Sequence, residues 1–388
     1  MIFGDKIEKK VKGRDFFMKK KVLAAIMAAA FILAGCGEAE EGDSPLQTLD
    51  PVIIDETPEP TSEPPQESEE EQVPEEEENR EGMYRSEITN EWIDESLKNQ
   101  RPIAVMVDNE KIALPHFGLT EADVVYEIMN STLNGRITRL MVIVKDWGKI
   151  QQMGSVRSTR SSNIPLAAEW NAVLCHDGGP FYVDEWIARD YLDNISGTFA
   201  RIPNGKDWEY TEYVTKDTLE QSLKDKGYST EYNSHYPGEH FQFSDTEIDL
   251  SGEAGAVDCT EIQLPFPHNK STLKYNESTG TYDYYEYGAA HLDALHDNAP
   301  LTFENLLIQS CSFSQLDEGG YMIYNMIGSG TGYYITGGKA IEVNWSKTSE
   351  TAPTVFTKKG TNEEVQLNTG KIYISLVPSD TWNDIVIK

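Results

Sequence analysis

Between residues 37 and 80 the chain carries seventeen acidic side chains against a single arginine, interleaved with prolines in the run TPEPTSEPPQESEEEQVPEEEENRE. A segment this acidic, with no aromatic residue, has too little apolar surface to offset the entropy lost on ordering it. It predicts a disordered acidic stalk over residues 37–95, so the folded body must be built from the residues beyond it. As a random coil, 37–80 would span on the order of 35–40 Å, and prolines with self-repulsion would extend it towards ~130 Å.

The part before the stalk has the opposite character. Residues 1–36 hold eight Lys or Arg against three acids. From Met18 the sequence runs MKKKVLAAIMAAAFILAGCGE, with three lysines ahead of an apolar stretch over 22–34. That stretch is shorter than the about 20 residues a permanent membrane-spanning helix needs. Leu33, Ala34 and Gly35 directly precede Cys36, an order that resembles the lipobox of bacterial lipoproteins. The resemblance implies a signal peptide over 1–36, a diacylglyceryl group on the Cys36 thiol, and cleavage that leaves Cys36 as the N-terminus. The mature protein would then sit on the outer face of the cytoplasmic membrane, held by lipid. Residues 1–17 fit a leader poorly, so Met18 reads as the true start.

The formal charge of the 388-residue chain is −32, and the part beyond residue 80 is itself acidic by 21 charges. That excludes DNA, RNA or an anionic membrane surface as natural partners, and it makes any arginine cluster in the body informative. With Cys36 modified, Cys175, Cys259 and Cys311 remain, an odd number that cannot all pair. Cys175 and Cys311 lie in apolar runs, which predicts buried free thiols over a Cys175–Cys311 bridge.

Length allows two folded units after the stalk, 96–247 and 248–388. The first reads as an α/β layer. RPIAVMVD at 101–108 and RLMVIV at 139–144 are buried strands, VVYEIM within 121–129 is strand or helix, and 172–175 is a further strand. Pro165 in a first turn, capped by Ser162 or Asn163, predicts a helix through Leu166, Ala167 and Trp170. Val183, Trp186, Ile187, Tyr191 and Ile195 fall on one face of a second helix. The unit beyond 248 reads as β-rich, a small barrel or sandwich. Its strands fall at 282–287, 305–309, 320–327, 332–335, 340–345, 354–356, 364–367 and 371–377, with GSGTG at 328–332 as a hairpin loop and a tight turn at 336–339.

Four segments of the first unit, RPIAVMVDN, RITRLMVIV, GSVRSTR and HDGGP, together with GYYITGGKAIEVNWSK and LNTGKIYISLVP in the second, resemble the DUF3048 family. The resemblance covers most of the chain from about residue 96 onward. It implies two domains carried on a lipoprotein of Gram-positive bacteria such as bacilli and clostridia, and it implies no activity.

The chemistry concentrates at Arg157-Ser158-Thr159-Arg160-Ser161-Ser162, where two guanidiniums, hydroxyls and the N–H groups of a helix start converge as an anion site. Arg136 and Arg139 join it if the strands bring them close. The competing reading pairs Arg157 and Arg160 with Glu169 and Asp177 as structural salt bridges. His176 and Asp177 follow a buried strand, where ligand groups collect in α/β layers. They could also serve a hydrolase or transferase, with Ser158 or Ser161 as nucleophile, His176 as base and Asp177 orienting it. No G-x-S-x-G elbow supports that, so no catalytic residue is assigned. His235, His240, His268, His291 and His296 show no metal-ligand spacing, and His291 and His296 beside Asp293 and Asp297 read as a solvated stretch. No phosphate loop or dinucleotide fingerprint is present, so neither metal nor cofactor is expected. Tyr333, Tyr334 and Trp345 form either a carbohydrate-stacking face or core packing, and packing is the plainer account. The expectation is a non-enzymatic envelope protein that binds an anionic or peptide-like cell-wall ligand or docks a protein partner.

Overall fold

The computed structural model describes residues 80–361 and 363–388. The leader, Cys36 and residues 37–79 lie outside the described residues. Order begins earlier than the 37–95 stalk reading allows. Met83–Arg85 and Trp92–Asp94 pair as an antiparallel hairpin, and Ile88 between them is fully buried in the core. Ile88 in the core and an ion pair between Glu87 and Lys145 tie this stretch to the folded body, while Arg80 and Arg85 stack on Trp92 within it.

The centre of the fold is an eleven-stranded mixed sheet. Ile103–Asp108, Val124–Met129 and Thr138–Val144 are buried along their whole length. Strands covered on both faces carry continuous apolar runs, not alternation. Ile103–Asp108 lies antiparallel to Thr138–Val144 and parallel to Val173–His176, so Asp108 stands opposite Arg139. On the other side, Val124–Met129 runs parallel to Ile372–Pro378, which in turn runs parallel to Asn305–Cys311. Strands from before and after residue 247 therefore share one hydrogen-bonded sheet.

A second sheet places Thr281–Glu286 between Thr272–Asn276 and Ala289–Ala290, with Glu261–Gln263 and Val386–Ile387 beyond. It packs on the central sheet through Tyr284 and Phe303 against Tyr373, at ring separations of 5.8 and 5.4 Å. The protein is strand-rich, with several open sheets and no closed barrel among the described residues. Barrel closure is the part of the β-rich reading that fails: the later strands pair among themselves, but Ile372–Pro378 then joins Val124–Met129 of the earlier half, so their sheet continues into it instead of closing.

Local corrections have identifiable causes. The second helix stops at Ile187, and Ile195 lies in the strand Asn194–Ser196, which extends the central sheet beside Val173–His176. GSGTG is not a loop, since Gly328–Thr336 is one nine-residue strand. A Cβ on Gly332 would lie 2.5 Å from Ile308 O, and one on Gly330 would lie 2.6 Å from Trp345 Nε1. These glycines admit neighbouring strands and rings, one of the two meanings glycine has inside a strand. The turn after it is as read, with Gly337 and Gly338 both at positive φ between Gly328–Thr336 and Lys339–Lys347. The strand read over 320–327 shrinks to Met322–Tyr324. Tyr334 and Trp345 are buried and Tyr333 stacks on Trp382 at 5.3 Å, so these rings pack internally. Cys175, Cys259 and Cys311 are buried free thiols. Among the described residues no helix is long and apolar enough to cross a membrane.

Candidate functional site

The segment Ser155–Arg160 threads along the end of the Ile103–Asp108 strand. Asp108 N donates to Ser155 O and Arg157 N to Met106 O, while Asp177 N donates to Arg157 O and Thr159 N to Gly178 O. This lacing brings RSTR beside the HDGG turn and the Asp108–Arg139 strand pair. Arg139, Arg157 and Arg160 consequently form one cluster, and Arg139 joins it as the strand register requires. Arg136 does not. It makes a bidentate pair with Asp380 at 2.8 and 2.6 Å and lines a separate cleft of about 550 Å³ with Pro265, Phe266 and Lys270.

The three guanidiniums differ in how they are balanced. Arg157 Nε lies 2.6 Å from Asp108 Oδ2, and its Nη1 lies 2.8 Å from Glu209 Oε2 at the exposed rim. Burial opposes the Arg157 charge, but Asp108 and Glu209 outweigh it and hold its pKa above the ordinary value. Arg139 is 5 % exposed; its Nη1 donates to Ser158 O, and its Nε is buried without a partner. Arg160 Nη1 donates to Thr159 O, its Nε is buried without a partner, and its guanidinium lies 5.3 Å from the Tyr321 ring centre. Among the described residues neither Arg139 nor Arg160 has a carboxylate within salt-bridge distance. Burial, followed by the charges of Arg139 and Arg157, pushes Arg160 down to about 9. Burial also lowers Arg139. Cations that depress one another in a buried setting are stabilised by an anion placed between them.

The expected salt bridges are not those that form. Glu169 accepts from Lys347 Nζ at 2.8 Å, and Asp177 Oδ2 accepts from Arg201 Nη2 at 2.8 Å. Burial acts to raise the Asp177 carboxyl, but hydrogen bonds to Glu212 and Arg201 hold it below the usual range. Burial and the Asp177 contact push Glu212 up to about 7, and Arg201 Nη2 lies between the two carboxylates, 2.8 Å from Asp177 and 2.6 Å from Glu212. The helix contributes no anion-binding N–H groups either. It spans only Asn163–Ala168, and the Asn163 and Ile164 N–H groups donate to Arg160 O and Ser161 O. Ser162 does not cap it, and its Oγ accepts from Tyr324 N instead.

The Ser/His arrangement is not assembled. His176 Nδ1 donates to Gly178 O at 2.8 Å and Nε2 faces the Asn194 side chain at 3.3 Å, while Ser161 Oγ donates to Tyr182 O. His176 therefore acts as a brace between strand and turn. Burial lowers its pKa and keeps the ring neutral. Asp108, Tyr210 and Tyr321 belong to the site and were not singled out by sequence. For Asp108 the signal was available, as a carboxylate ending a fully apolar strand.

Residues 88–229 match the N-terminal domain, and residues 262–374 the C-terminal domain, of the family described as Protein of unknown function (DUF3048). The Bacillus subtilis (strain 168) protein named "Putative lipoprotein YerB" is 24% identical over 312 residues, covering 78% of this chain and 86% of that protein. The crystal structure of the Bacillus subtilis YerB protein superposes with a TM-score of 0.66 at 21% identity, across 79% of this chain and 99% of that one. That likeness shows the same fold. With both of its domains present in order, this chain belongs to the DUF3048 family.

Proposed function

We propose that the protein is a lipid-anchored, extracytoplasmic envelope protein that binds an anionic cell-wall ligand at the Arg139–Arg157–Arg160 cluster. The carrying observation is the imbalance: buried Arg139 and half-buried Arg160 have no carboxylate partner and carry buried, unpartnered Nε groups inside a strongly acidic body. Ser158, half-buried, offers its backbone carbonyl to Arg139, His176 and Asp177 fix the adjoining turn, and Ser161 is engaged with Tyr182 O. Anchoring rests on the Cys36 lipobox and on the name of the Bacillus subtilis relative.

Arg157 is the wrong residue to test alone, because removing it leaves Asp108 buried without its ion pair. Arg139 and Arg160 leave no carboxylate behind. The R139Q/R160Q double variant should therefore keep its stability to within about 1 kcal/mol. It should lose binding by more than tenfold, since each charge-assisted bond contributes about 1.5–3 kcal/mol. Thermal melting of parent and variant with inorganic phosphate, a glycerol-phosphate polymer fragment and a wall stem peptide reads both effects. No protection of the parent by any of these, or a double variant that unfolds, sinks the proposal.

A further inference from the structure

His291 does not lie in a solvated stretch. It is 3 % exposed, and it faces His116, which is fully buried and 175 residues away in sequence. His116 Nδ1 lies 2.8 Å from His291 Nε2, and His291 Nε2 lies 3.8 Å from Glu286 Oε1. One donor atom from each of the three side chains falls within 4.8 Å of the others. Tetrahedral zinc, at about 2.0–2.1 Å from each ligand, sets ligand atoms about 3.3 Å apart, inside the range these pairs span.

We propose that His116, Glu286 and His291 form a site for one divalent transition-metal ion of the zinc type. Three observations converge on it. Both Glu286 carboxylate oxygens are buried with no hydrogen-bond partner, and the residue is 2 % exposed. The nearby Asn109 and Asn269 amides are committed elsewhere, to Thr138 Oγ1 and to Asn109 O. Among the described residues, the one imidazole within ion-pair distance of Glu286 is His291. Second, His116 Nε2 sits 2.6 Å from Asp108 O, so the ring donates its proton there and turns the Nδ1 lone pair towards the cluster. An imidazole fixed by a backbone carbonyl on one nitrogen, with the other free, is the usual posture of a histidine ligand. Third, Glu127 lies in the same buried region, ringed by Thr138, Ser271, Tyr284 and Tyr373 hydroxyls, with no ammonium or guanidinium bonded to it among the described residues. Those hydroxyls satisfy Glu127 but none of them reaches Glu286, which is left as the carboxylate in need of a partner. Two imidazoles and a carboxylate suit zinc in preference to calcium or magnesium, which take oxygen ligands. All three ligands are enclosed, so the ion enters as the chain folds and acts as a structural tie between the loop after the Ile103–Asp108 strand and the Thr281–Glu286 hairpin.

The untagged mature protein, purified without chelator, is first assayed for bound metal by mass spectrometry. It is then unfolded in guanidinium with EDTA and refolded with Zn²⁺, Co²⁺ or Mg²⁺. One equivalent of zinc per chain, a melting temperature raised by Zn²⁺ but not Mg²⁺, and visible Co²⁺ bands of a tetrahedral site support the proposal. Glu286→Gln and His291→Gln should each weaken Zn²⁺ binding at least tenfold and abolish the Co²⁺ bands. A parent that holds no zinc either as purified or after refolding overturns it, leaving a hydrogen-bonded histidine pair beside a neutral carboxylic acid. So does an equivalent of zinc that both variants retain with parental affinity.

Discussion

Glu169 and Glu286 are both buried carboxylates that meet residues from the other half of the chain, and they are treated in opposite ways. Glu169 accepts from Tyr126 OH on one oxygen, and from Lys347 Nζ, Thr354 N and Thr354 Oγ1 on the other. Burial acts to raise its pKa, but Lys347 and the surrounding donors hold it below the usual range. Glu286 has no such set of donors, and burial followed by the charge of Glu127 pushes it far above that range. A buried charge that is fully matched is architecture. One left unmatched, whether Glu286 or the Arg139–Arg160 pair, marks a place where something outside the chain completes the balance.

The contrast is broken most severely at Lys347, which is fully buried against Glu169. Lys347→Met keeps the aliphatic stem and removes the charge, stranding the carboxylate. Loss of one partner of a buried pair should cost about 3–5 kcal/mol in chemical denaturation. A loss below about 1 kcal/mol would mean that Glu169 is no more constrained than Glu286, and the distinction between the two would fall.

The difference also marks what the sequence makes legible. The central strands were readable because burial on both faces leaves unbroken apolar runs such as IAVMVD and TRLMVIV. The glycines of Gly328–Thr336 misled because their purpose, the approach of Ile308 and Trp345, depends on strands that pair across the fold. RSTR announced itself by composition. Its balance did not, because Asp108, Glu209 and Tyr321 come from distant segments. His116 and His291 carry no spacing signal at all, since the contact between them is made only when the second sheet packs on the first.

A second test uses pH on the matched side. His240 lies 3.7 Å from Glu169, but Thr354 N donates to its Nε2, and burial pushes it down to about 4. Its folded pKa is below the unfolded value near 6.5, so the unfolded chain binds more protons as pH falls through that window. Stability is complete above pH 6.5 and is lost on acidification towards 4, by about 2 kcal/mol between pH 7 and 5 for this one ring. His240→Gln can still accept from Thr354 and should remove that share of the slope. An unchanged acid limb in the variant would show that His240 is already protonated and shares the Glu169 charge.

The smallest expected effect is the sharpest test of the comparison. In metal-free buffer Glu286→Gln should change stability by less than about 1 kcal/mol, because no hydrogen bond is lost and a buried group that resists ionisation is replaced by a neutral one of the same shape. Lys347→Met and Glu286→Gln thus alter buried polar groups of similar depth and should differ several-fold in cost. With Zn²⁺ present during refolding the ordering within the Glu286 site changes, as the parent gains stability by mass action and the variant does not. A loss of about 3 kcal/mol or more in the metal-free variant, the scale of breaking a matched buried pair, would mean that the Glu286 carboxylate supports the fold directly. It would then belong with Glu169, and an unmatched buried charge in this protein would no longer point to a missing ligand.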